Sequence, residues 1–227
     1  MPAESNANFI MIKVENLTKS YITSKGRHYV FKDLNFELPT GKSVALIGRN
    51  GAGKSTLLRM IGGIDHPDSG MITTDQTISW PVGLAGGFQG SLTGRENVKF
   101  VARLYASKDE LKEKIEFVQD FSELGKYFDM PIKTYSSGMR SRLGFSLSMA
   151  FKFDYYLVDE ILAVGDTKFR KKCEDIFLSK SNGSHILLVS HSMNLLKRYC
   201  DSAIVFSEGN KCQYISSIDE ALGCFNN

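Results

Sequence analysis

The sequence contains few of the residues that build disulfide scaffolds, collagens or disordered chains. Its 227 residues include five prolines, one tryptophan and four cysteines, and it has no low-complexity tract. The cysteines form no C-x-x-C pair, and no cysteine–histidine spacing matches a zinc site. This composition excludes the three classes named above and predicts reduced thiols, which are typical of a cytosolic protein. The four cysteines are Cys173, Cys200, Cys212 and Cys224.

Long hydrophobic runs are also missing. The longest uninterrupted apolar stretches, such as Ile186–Val189, are about four to five residues long, whereas a membrane-spanning helix needs about 20. Residues 1–8 are polar and lack a basic start followed by an apolar run, so we do not expect a signal peptide. We predict a soluble chain, and any membrane role would come through a partner.

Charge of one sign is not in excess either. Lysine and arginine number 28, aspartate and glutamate number 25, and the net charge of +3 is spread along the chain. This balance gives no indication of a nucleic-acid partner. A chain of this length can bury roughly 70% of its surface, so neither a disulfide nor a metal is needed for stability. We expect one large domain, or a core with an inserted subdomain.

Short apolar segments near both ends of the chain predict strands. A helix from Lys54 to about Ile61 is expected after the third of them, and helical patterns separate the later ones. Strands that alternate with helices predict an α/β fold with a mainly parallel sheet. The predicted strands are Phe9–Val14, Phe36–Leu38, Ser43–Ile47, Tyr155–Val158, Ile186–Val189 and Ala203–Phe206.

The middle of the chain has a different, helical pattern. Thr93–Glu96 and Ser107–Glu110 both have the spacing of a helix capping box, and apolar residues follow each of them at helical intervals. We therefore predict that residues from about 92 to 151 form a helical subdomain inserted into the α/β core.

A phosphate-binding loop is predicted at residues 48–55. The segment GRNGAGKS matches the P-loop pattern G-x-x-x-x-G-K-[ST] and lies between a predicted strand and a predicted helix. Its glycines allow backbone N–H groups to point at phosphate oxygens, and the helix N-terminus adds its positive end. Lys54 is expected to reach the β- and γ-phosphates, and the Ser55 hydroxyl is expected to hold Mg²⁺. The predicted ATP-binding residues here are Gly48, Arg49, Asn50, Gly51, Ala52, Gly53, Lys54, Ser55 and Thr56.

A hydrophobic strand that ends in two acids, Tyr155–Glu160, is the second chemical signal. Beside a P-loop, such a strand brings an aspartate to the magnesium ion, which is the role we assign to Asp159. The next acid, Glu160, can orient and polarise an attacking water as a general base. The pair favours a hydrolase over a protein that only binds nucleotide.

The segment Tyr135–Met139 lies between these two motifs, and here the sequence resembles the nucleotide-binding subunit of ABC transporters. The family signature is L-S-G-G-Q, and this chain has Tyr, Ser and Met at its first, third and fifth positions. The resemblance implies a P-loop NTPase core of the RecA-like type and a head-to-tail dimer around ATP. The signature residues that act in trans are then Ser136, Ser137 and Gly138, with Ser136 and Gly138 on the γ-phosphate held by the other chain.

Three further residues stand at positions that matter in this family. Asp166 stands at its D-loop, and His191 stands at its switch histidine, which contacts the γ-phosphate. With Lys54 and Glu160, His191 completes the predicted catalytic set. Tyr21 looks like the aromatic residue that stacks on adenine, and an exposed strand-end tyrosine is the alternative interpretation.

The family also places a glutamine between the core and the helical subdomain, where it ligates Mg²⁺ and senses the membrane partner. Gln89 is the only glutamine between Trp80 and Val98, and it follows an aromatic residue. An ungapped comparison over Leu92–Asn97 would put Leu84 there instead. We interpret Gln89 as the metal-proximal residue, with a partner-facing loop residue as the alternative.

The resemblance covers residues 11 to about 215. Within it, Tyr135–Met139 and Ser79–Gly94 are similar to the ATPases of group 2 capsular polysaccharide exporters. This implies ATP and Mg²⁺ as cofactors and a site on the cytoplasmic face of the inner membrane. The implied partners are a second copy, a polytopic permease, and periplasmic and outer-membrane export components. We expect residues 1–10 to be a polar extension and 11–227 to be a single ABC ATPase domain, without the carbohydrate-binding domain usual in O-antigen exporter ATPases.

Other functions stay open at this point. An exporter of another glycan, such as O-antigen or teichoic acid, fits the same residues. A translation factor or DNA-repair ATPase of the same superfamily would carry two cassettes or a long coiled coil, and the sequence has neither. A P-loop kinase or GTPase would not explain residues 136–138 or His191, and the Asn-Lys-x-Asp segment expected of a GTPase is absent.

Overall fold

The structure is a computed structural model that describes residues 10–83, 87–159, 166–180, 183–207 and 211–225. Its strands are β1 (Ile10–Thr23), β2 (Gly26–Pro39), β3 (Val44–Ile47), β4 (Ser69–Thr74), β5 (Tyr155–Asp159), β6 (His185–Val189), β7 (Ser202–Ser207) and β8 (Lys211–Ile215). Its α-helices are α1 (Lys54–Ile61), α2 (Gly94–Tyr105), α3 (Leu111–Ser122), α4 (Ser137–Met149), α5 (Thr167–Lys180), α6 (Met193–Tyr199) and α7 (Ile218–Phe225). Among these helices, none combines the length and apolar composition that crossing a membrane requires.

The chain divides into two compact units. The first comprises residues 1–78, 154–161 and 185–227, and it contains all eight strands with α1, α6 and α7. The second comprises residues 79–153 and 162–184, and it contains α2 to α5. The predicted helical segment, residues 92–151, lies within the second unit, which also takes in α5 from later in the chain.

A parallel sheet forms the centre of the first unit. Its strand order is β5-β6-β3-β7-β8, in which the first four strands are parallel and β8 is antiparallel to β7. The prediction of a mainly parallel sheet is therefore confirmed. The strands read as continuous apolar runs because they are covered on both faces. Their buried side chains share one hydrophobic core with α1, formed in part by Leu46, Leu57, Leu157, Leu187 and Ile204.

A second, antiparallel sheet of the first unit was not predicted. Its strand order is β2-β1-β4. The sequence indicated only short strands at 9–14 and 36–38, whereas β1 continues to Thr23 and β4 occupies Ser69–Thr74. Three register shifts between Val14 and Ser20 of β1 interrupt the two-residue alternation by which a strand is detected. The residues of β4 are mostly exposed, so that strand has no apolar pattern.

Both predicted capping boxes form in the second unit, but only the first of them directly starts an α-helix. Thr93 and Glu96 form a reciprocal capping box at the start of α2. Ser107 and Glu110 also exchange the hydrogen bonds of a box, around a turn that precedes α3. An aromatic cluster packs within this unit, with ring centroids 5.1 to 6.5 Å apart. Its members are Trp80, Tyr105, Phe151 and Phe153.

All four cysteines are free thiols. Cys173 and Cys200 are buried, and burial raises the pKa of each thiol to about 12. Burial also raises the pKa of the half-buried Cys212, whereas Cys224 is exposed. Because the thiolate is the reactive form, the two buried cysteines are core residues rather than nucleophiles.

Candidate nucleotide-binding site

Three predicted motifs leave the parallel sheet at the same edge. The P-loop follows β3, Asp159 is the last residue of β5, and His191 comes two residues after the end of β6. β6 lies between β3 and β5, and Asp159 pairs in register with Val189 at its end. Because these strands are parallel and neighbours lie about 4.8 Å apart, their carboxyl ends border one crevice. Open α/β sheets bind their ligands in such a crevice.

Glycines give the P-loop its backbone conformation. Gly51 and Gly53 have φ angles of 84° and 87°, in the left-handed region that favours glycine. Gly53 is the N-cap of α1, so the unpaired N–H groups of the first helical turn lie at the loop. That turn contains no acidic residue, and the positive end of the helix dipole is not neutralised by its own side chains. The loop can therefore receive an anionic phosphate.

Neighbouring strands hold the P-loop on two flanks. A Cβ atom at Gly53 would overlap the side chains of Val30 and Phe31 of β2. A Cβ atom at Gly48 would lie 2.9 Å from the Cβ of Phe206 of β7. The rings of Phe31 and Phe206 are themselves 6.1 Å apart. The glycines are thus required for packing as well as for approach to phosphate.

Lys54 lies inside the curve of the loop. Only 8% of the residue is exposed, and its ammonium donates hydrogen bonds to the carbonyl oxygens of Gly48 (2.8 Å) and Arg49 (3.0 Å). These bonds hold the charge beside the phosphate-binding N–H groups. Thr56, one turn into α1, is buried, and its hydroxyl accepts a hydrogen bond from Arg59 at 3.3 Å.

Ser55 and Asp159 offer the donors that a magnesium ion needs. Ser55 is the second residue of α1 and Asp159 is the last of β5, and both are half-buried. A hydroxyl and a carboxylate are hard oxygen donors, and Mg²⁺ is bound by one or two of them together with phosphate oxygens and water. The donor set therefore fits Mg²⁺. Glu160, the predicted general base, lies outside the described residues.

Tyr21 and His191 both lie at or just beyond the ends of strands in the first unit. Tyr21 lies near the end of β1 and is 38% exposed, and its hydroxyl donates a hydrogen bond of 2.7 Å to Asp65. Its strand pairs with β2, whose Phe31 contacts the P-loop. His191 is exposed in the short segment between β6 and α6.

The signature residues form the start of α4 in the second unit. Ser136 is the N-cap, and its hydroxyl oxygen accepts a hydrogen bond of 3.2 Å from the Met139 N–H. As the acceptor in this bond, the hydroxyl keeps its own hydrogen for donation. Ser136 and Ser137 are exposed. A surface pocket of about 480 Å³ adjoins them, lined by Glu123, Leu124, Tyr127, Ser136, Gly138, Met139 and Arg142.

Asp166 connects two helices of the second unit. One carboxylate oxygen accepts the Phe169 N–H at 2.9 Å at the start of α5, and the other accepts Arg142 of α4 at 2.6 Å. The Phe169 N–H, followed by the Arg142 charge, holds the pKa of Asp166 below its ordinary value. Residues 163–165, the rest of the predicted D-loop, lie outside the described residues.

Gln89 is fixed by its backbone and exposed in its side chain. Its N–H donates to the Asn97 side chain at 2.8 Å, and the Asn97 amide donates back to the Gln89 carbonyl at 3.1 Å. Asn97 is buried in the first turns of α2. These two bonds therefore fix the position of the Gln89 backbone relative to α2. Leu84, the alternative position, lies outside the described residues.

Sequence reasoning missed three residues that hold predicted ones in place. Asp65 accepts a hydrogen bond from the Tyr21 hydroxyl, and Arg142 donates one to Asp166. The Asn97 side chain forms hydrogen bonds with both the N–H and the carbonyl of Gln89. Asn97 had a sequence signal, because it is a polar residue beside Val98 on the apolar face of the predicted helix. Asp65 and Arg142 had none, since their partners are distant in the chain.

The chain is similar to ATP-binding proteins of polysaccharide export. The sequence profile of the ABC transporter family matches residues 31–163. The polysialic acid transport ATP-binding protein KpsT of Escherichia coli is 72% identical over 212 residues, which cover 93% of this chain and 95% of the relative. The capsule polysaccharide export ATP-binding protein CtrD of Neisseria meningitidis serogroup B is 45% identical over 217 residues, which cover 95% and 99%. Export proteins for O-antigen and for teichoic acids match at 42% and 36% identity.

Solved structures share the architecture. The dimeric, post-hydrolysis structure of the ATP-binding cassette MJ0796 with ADP and Pi has a TM-score of 0.69 and 22% sequence identity. The match covers 90% of this chain and 98% of that one. At this identity the likeness concerns the fold, and it agrees with the predicted P-loop NTPase core with an inserted helical subdomain.

Proposed function

The chain belongs to the ABC transporter family, and we propose that it is the ATP-hydrolysing subunit of a capsular polysaccharide exporter. The observation that carries this proposal is a P-loop and Asp159 at the carboxyl ends of parallel strands in one sheet, in a chain 72% identical to a polysialic acid transport ATP-binding protein. The relative named for capsule polysaccharide export, at 45% identity, supports the same cargo class. Proteins for O-antigen and teichoic acids are less similar, so we favour capsular polysaccharide over those glycans.

ATP is bound through its phosphates by the P-loop, residues 48–56. The N–H groups of the loop and of the first turn of α1 bind phosphate oxygens, and Lys54 neutralises the β- and γ-phosphates. Ser55 and Asp159 hold Mg²⁺, which when bound neutralises charge that develops on the phosphates. Tyr21 stacks on the adenine ring.

Hydrolysis needs a positioned water. Glu160 orients the water and accepts its proton as the general base, and the water oxygen then attacks the γ-phosphorus while the bond to ADP breaks. His191 donates a hydrogen bond to the γ-phosphate and holds it in line with the water. Positioning and charge stabilisation supply most of the acceleration in such reactions.

The site is completed by a second copy of the chain. Ser136, Ser137 and Gly138 of one chain bind the γ-phosphate held by the P-loop of its partner, and Asp166 lies at the same dimer interface. The α4 N-terminus, with its serine hydroxyls, has the donors that such an anion requires. Closure around two ATP molecules and reopening after hydrolysis supply the motion.

The chain works on the cytoplasmic face of the inner membrane, bound to a polytopic permease through which the polysaccharide passes. Gln89, whose backbone is anchored to α2 through Asn97, is the residue that we assign to ligating Mg²⁺ and to sensing the permease. Export components of the periplasm and outer membrane carry the polysaccharide onward after it leaves the permease.

The first test separates ATP binding from turnover in the full chain. Lys54→Ala should weaken ATP binding itself, because the loop loses its buried cation. Glu160→Gln should bind ATP normally and hydrolyse it about 100-fold or more slowly, which is a typical loss when a general base is removed. Lys25→Ala, in the exposed turn between β1 and β2, is the control. Near-normal turnover in Glu160→Gln would remove Glu160 from the catalytic role.

The second test addresses the composite site by mixing chains. A Lys54→Ala chain is combined with a Ser137→Arg chain, in which the arginine blocks the signature. In the mixed dimer both defects fall in one site, and the other site is intact. Some ATPase activity should return when the two are coexpressed with the permease. If mixing restores none and ATP is not trapped at a single site either, the two-chain site is wrong.

A further inference from the structure

A buried lysine, an aspartate and a tyrosine form a bonded group in the first unit. Asp65 lies in the loop that follows α1, four residues after its end. Its Oδ1 accepts hydrogen bonds from the Lys19 ammonium (2.6 Å) and from the His66 N–H (2.9 Å). Its Oδ2 accepts the Tyr21 hydroxyl at 2.7 Å. Both carboxylate oxygens are thus occupied, and the tyrosine is tied to a fixed acceptor.

The group is rigid because its members fix one another. Lys19 is 7% exposed, and its ammonium also donates to the His66 carbonyl at 2.6 Å and lies 5.0 Å from the centre of the Tyr21 ring. Partial burial by itself raises the pKa of Asp65, but the bonds from Lys19, Tyr21 and the His66 N–H outweigh it and lower that pKa. The carboxylate therefore stays charged at neutral pH and keeps both partners.

Strand pairing places this group beside the P-loop. Lys19 pairs in register with Phe31, and the Phe31 ring is the one against which Gly53 packs. Tyr21 is two residues further along β1, past a register shift, and it lies on the same side as Lys19 because both side chains bond Asp65 and the Lys19 ammonium lies 5.0 Å from the centre of the Tyr21 ring. A nucleotide whose phosphates lie on the P-loop can thus reach the exposed Tyr21 ring with its base.

We propose that Asp65 is a positioning residue for base recognition, which holds the Tyr21 ring in the orientation that stacks on adenine. This inference rests on the proposed function, since it assumes that ATP is bound by the P-loop. A partly exposed tyrosine without the tie would sample several orientations and would lose that freedom each time ATP bound. With the hydrogen bond to Asp65, the Tyr21 side chain loses this conformational freedom on folding, and the adenine base meets a preorganised ring.

We expect a loss of affinity only for ligands that carry the adenine base. Removing the tie should weaken ATP binding by about 3- to 10-fold, the range for the ordering of one side chain. Inorganic tripolyphosphate has no base and contacts only the phosphate-binding part of the site. Its affinity should be unchanged, because neither Asp65 nor Tyr21 belongs to the P-loop.

The experiment measures Mg-ATP and Mg-tripolyphosphate binding to the full chain by calorimetry. The variants are Tyr21→Phe, which keeps the ring and removes only the hydroxyl, Asp65→Ala, which removes the acceptor, and the double variant. Tyr29→Phe is the matched control, because Tyr29 is also 38% exposed and lies in the paired strand. Both single variants should bind ATP more weakly. The double variant should lose no more ATP affinity than either single variant, since both changes remove the same hydrogen bond.

The outcomes are distinguishable from failure of the proposed function. If Tyr21→Phe and Asp65→Ala bind ATP as tightly as the wild type, the positioning role is overturned while the P-loop assignment stands. Equal losses for ATP and tripolyphosphate would mean a general structural role and would also overturn it. If Asp65→Ala fails to fold, the Tyr21→Phe result decides. A wild-type chain that binds neither ligand would contradict the proposed function and this inference together.

Discussion

Arg142 of the signature helix donates a hydrogen bond of 2.6 Å to Asp166, the residue that caps α5. The same guanidinium lies 3.4 Å from Glu123, and its central carbon lies 4.3 Å from the centre of the Phe169 ring. Glu123 in turn accepts a bond of 2.8 Å from Lys172 of α5. The helix that starts with the signature residues is therefore tied by charge to the residue at the predicted D-loop, within one chain and one unit.

We predict that Arg142→Ala slows ATP turnover more than it weakens ATP binding. The P-loop lies in the other unit and keeps its phosphate contacts, whereas the signature helix and Asp166 lose their link. Turnover should fall by only roughly 3- to 5-fold, because Asp166 is exposed and solvent weakens its ion pair with Arg142. Steady-state ATPase and nucleotide binding measure the two effects. Arg170→Ala, an exposed arginine of α5, is the control, and an equal effect there would contradict the link.

Thr93→Ala should lower the free energy of unfolding by about 1 kcal/mol at neutral pH, the usual cost of an N-cap threonine. The Thr93 hydroxyl accepts the Glu96 N–H at 3.1 Å, and the Glu96 carboxylate accepts the Thr93 N–H at 2.8 Å. Urea unfolding measures the change. Loss of α2 stability without loss of ATP binding is expected, since the P-loop is in the first unit.

The same capping box predicts a dependence on pH. The Thr93 N–H and then its hydroxyl hold the pKa of Glu96 below its ordinary value. A lowered pKa in the folded state stabilises the fold above the unfolded pKa of about 4.3, and the stabilisation disappears as pH falls through the folded pKa. The difference in unfolding free energy between wild type and Thr93→Ala should therefore shrink below about pH 4. A difference that grows on acidification would contradict the assigned bonds.

Gln89→Ala should reduce permease-coupled ATPase activity and leave ATP binding largely intact. The backbone of Gln89 is held by Asn97, so the variant removes the exposed side chain without releasing the loop. Asn97→Ala keeps the glutamine and frees the loop, and it should give a similar loss of coupling. A structure of the closed dimer with Mg-ATP tests the metal role. A Gln89 side chain more than about 6 Å from the metal, beyond direct or single-water contact, would exclude it.

Much of the nucleotide site could be predicted because its segments are contiguous in the chain. The P-loop is one stretch of nine residues between a strand and a helix, and the apolar run before Asp159 predicts a buried parallel strand. Glycine spacing there follows directly from the φ angles that the loop requires.

The remaining features depend on contacts between distant segments. The long hairpin of β1 and β2 has bulges and an exposed tip, so its sequence alternates poorly. Tyr21 and Asp65 are 44 residues apart, and Arg142 and Asp166 are 24 apart. No local pattern of charge or periodicity indicates such pairs. They follow only from the fold, which brings the loop after α1 to β1 and the start of α5 to α4.

The central claim is that ATP hydrolysis by this chain drives export of capsular polysaccharide. The direct measurement is surface polysaccharide in an encapsulated Escherichia coli strain that lacks its KpsT and carries this chain at matched protein levels. The wild-type chain should restore surface capsule, whereas Lys54→Ala and Glu160→Gln should leave the polysaccharide inside the cell. Restoration of surface capsule by Lys54→Ala, to the level reached with the wild-type chain, would contradict the account.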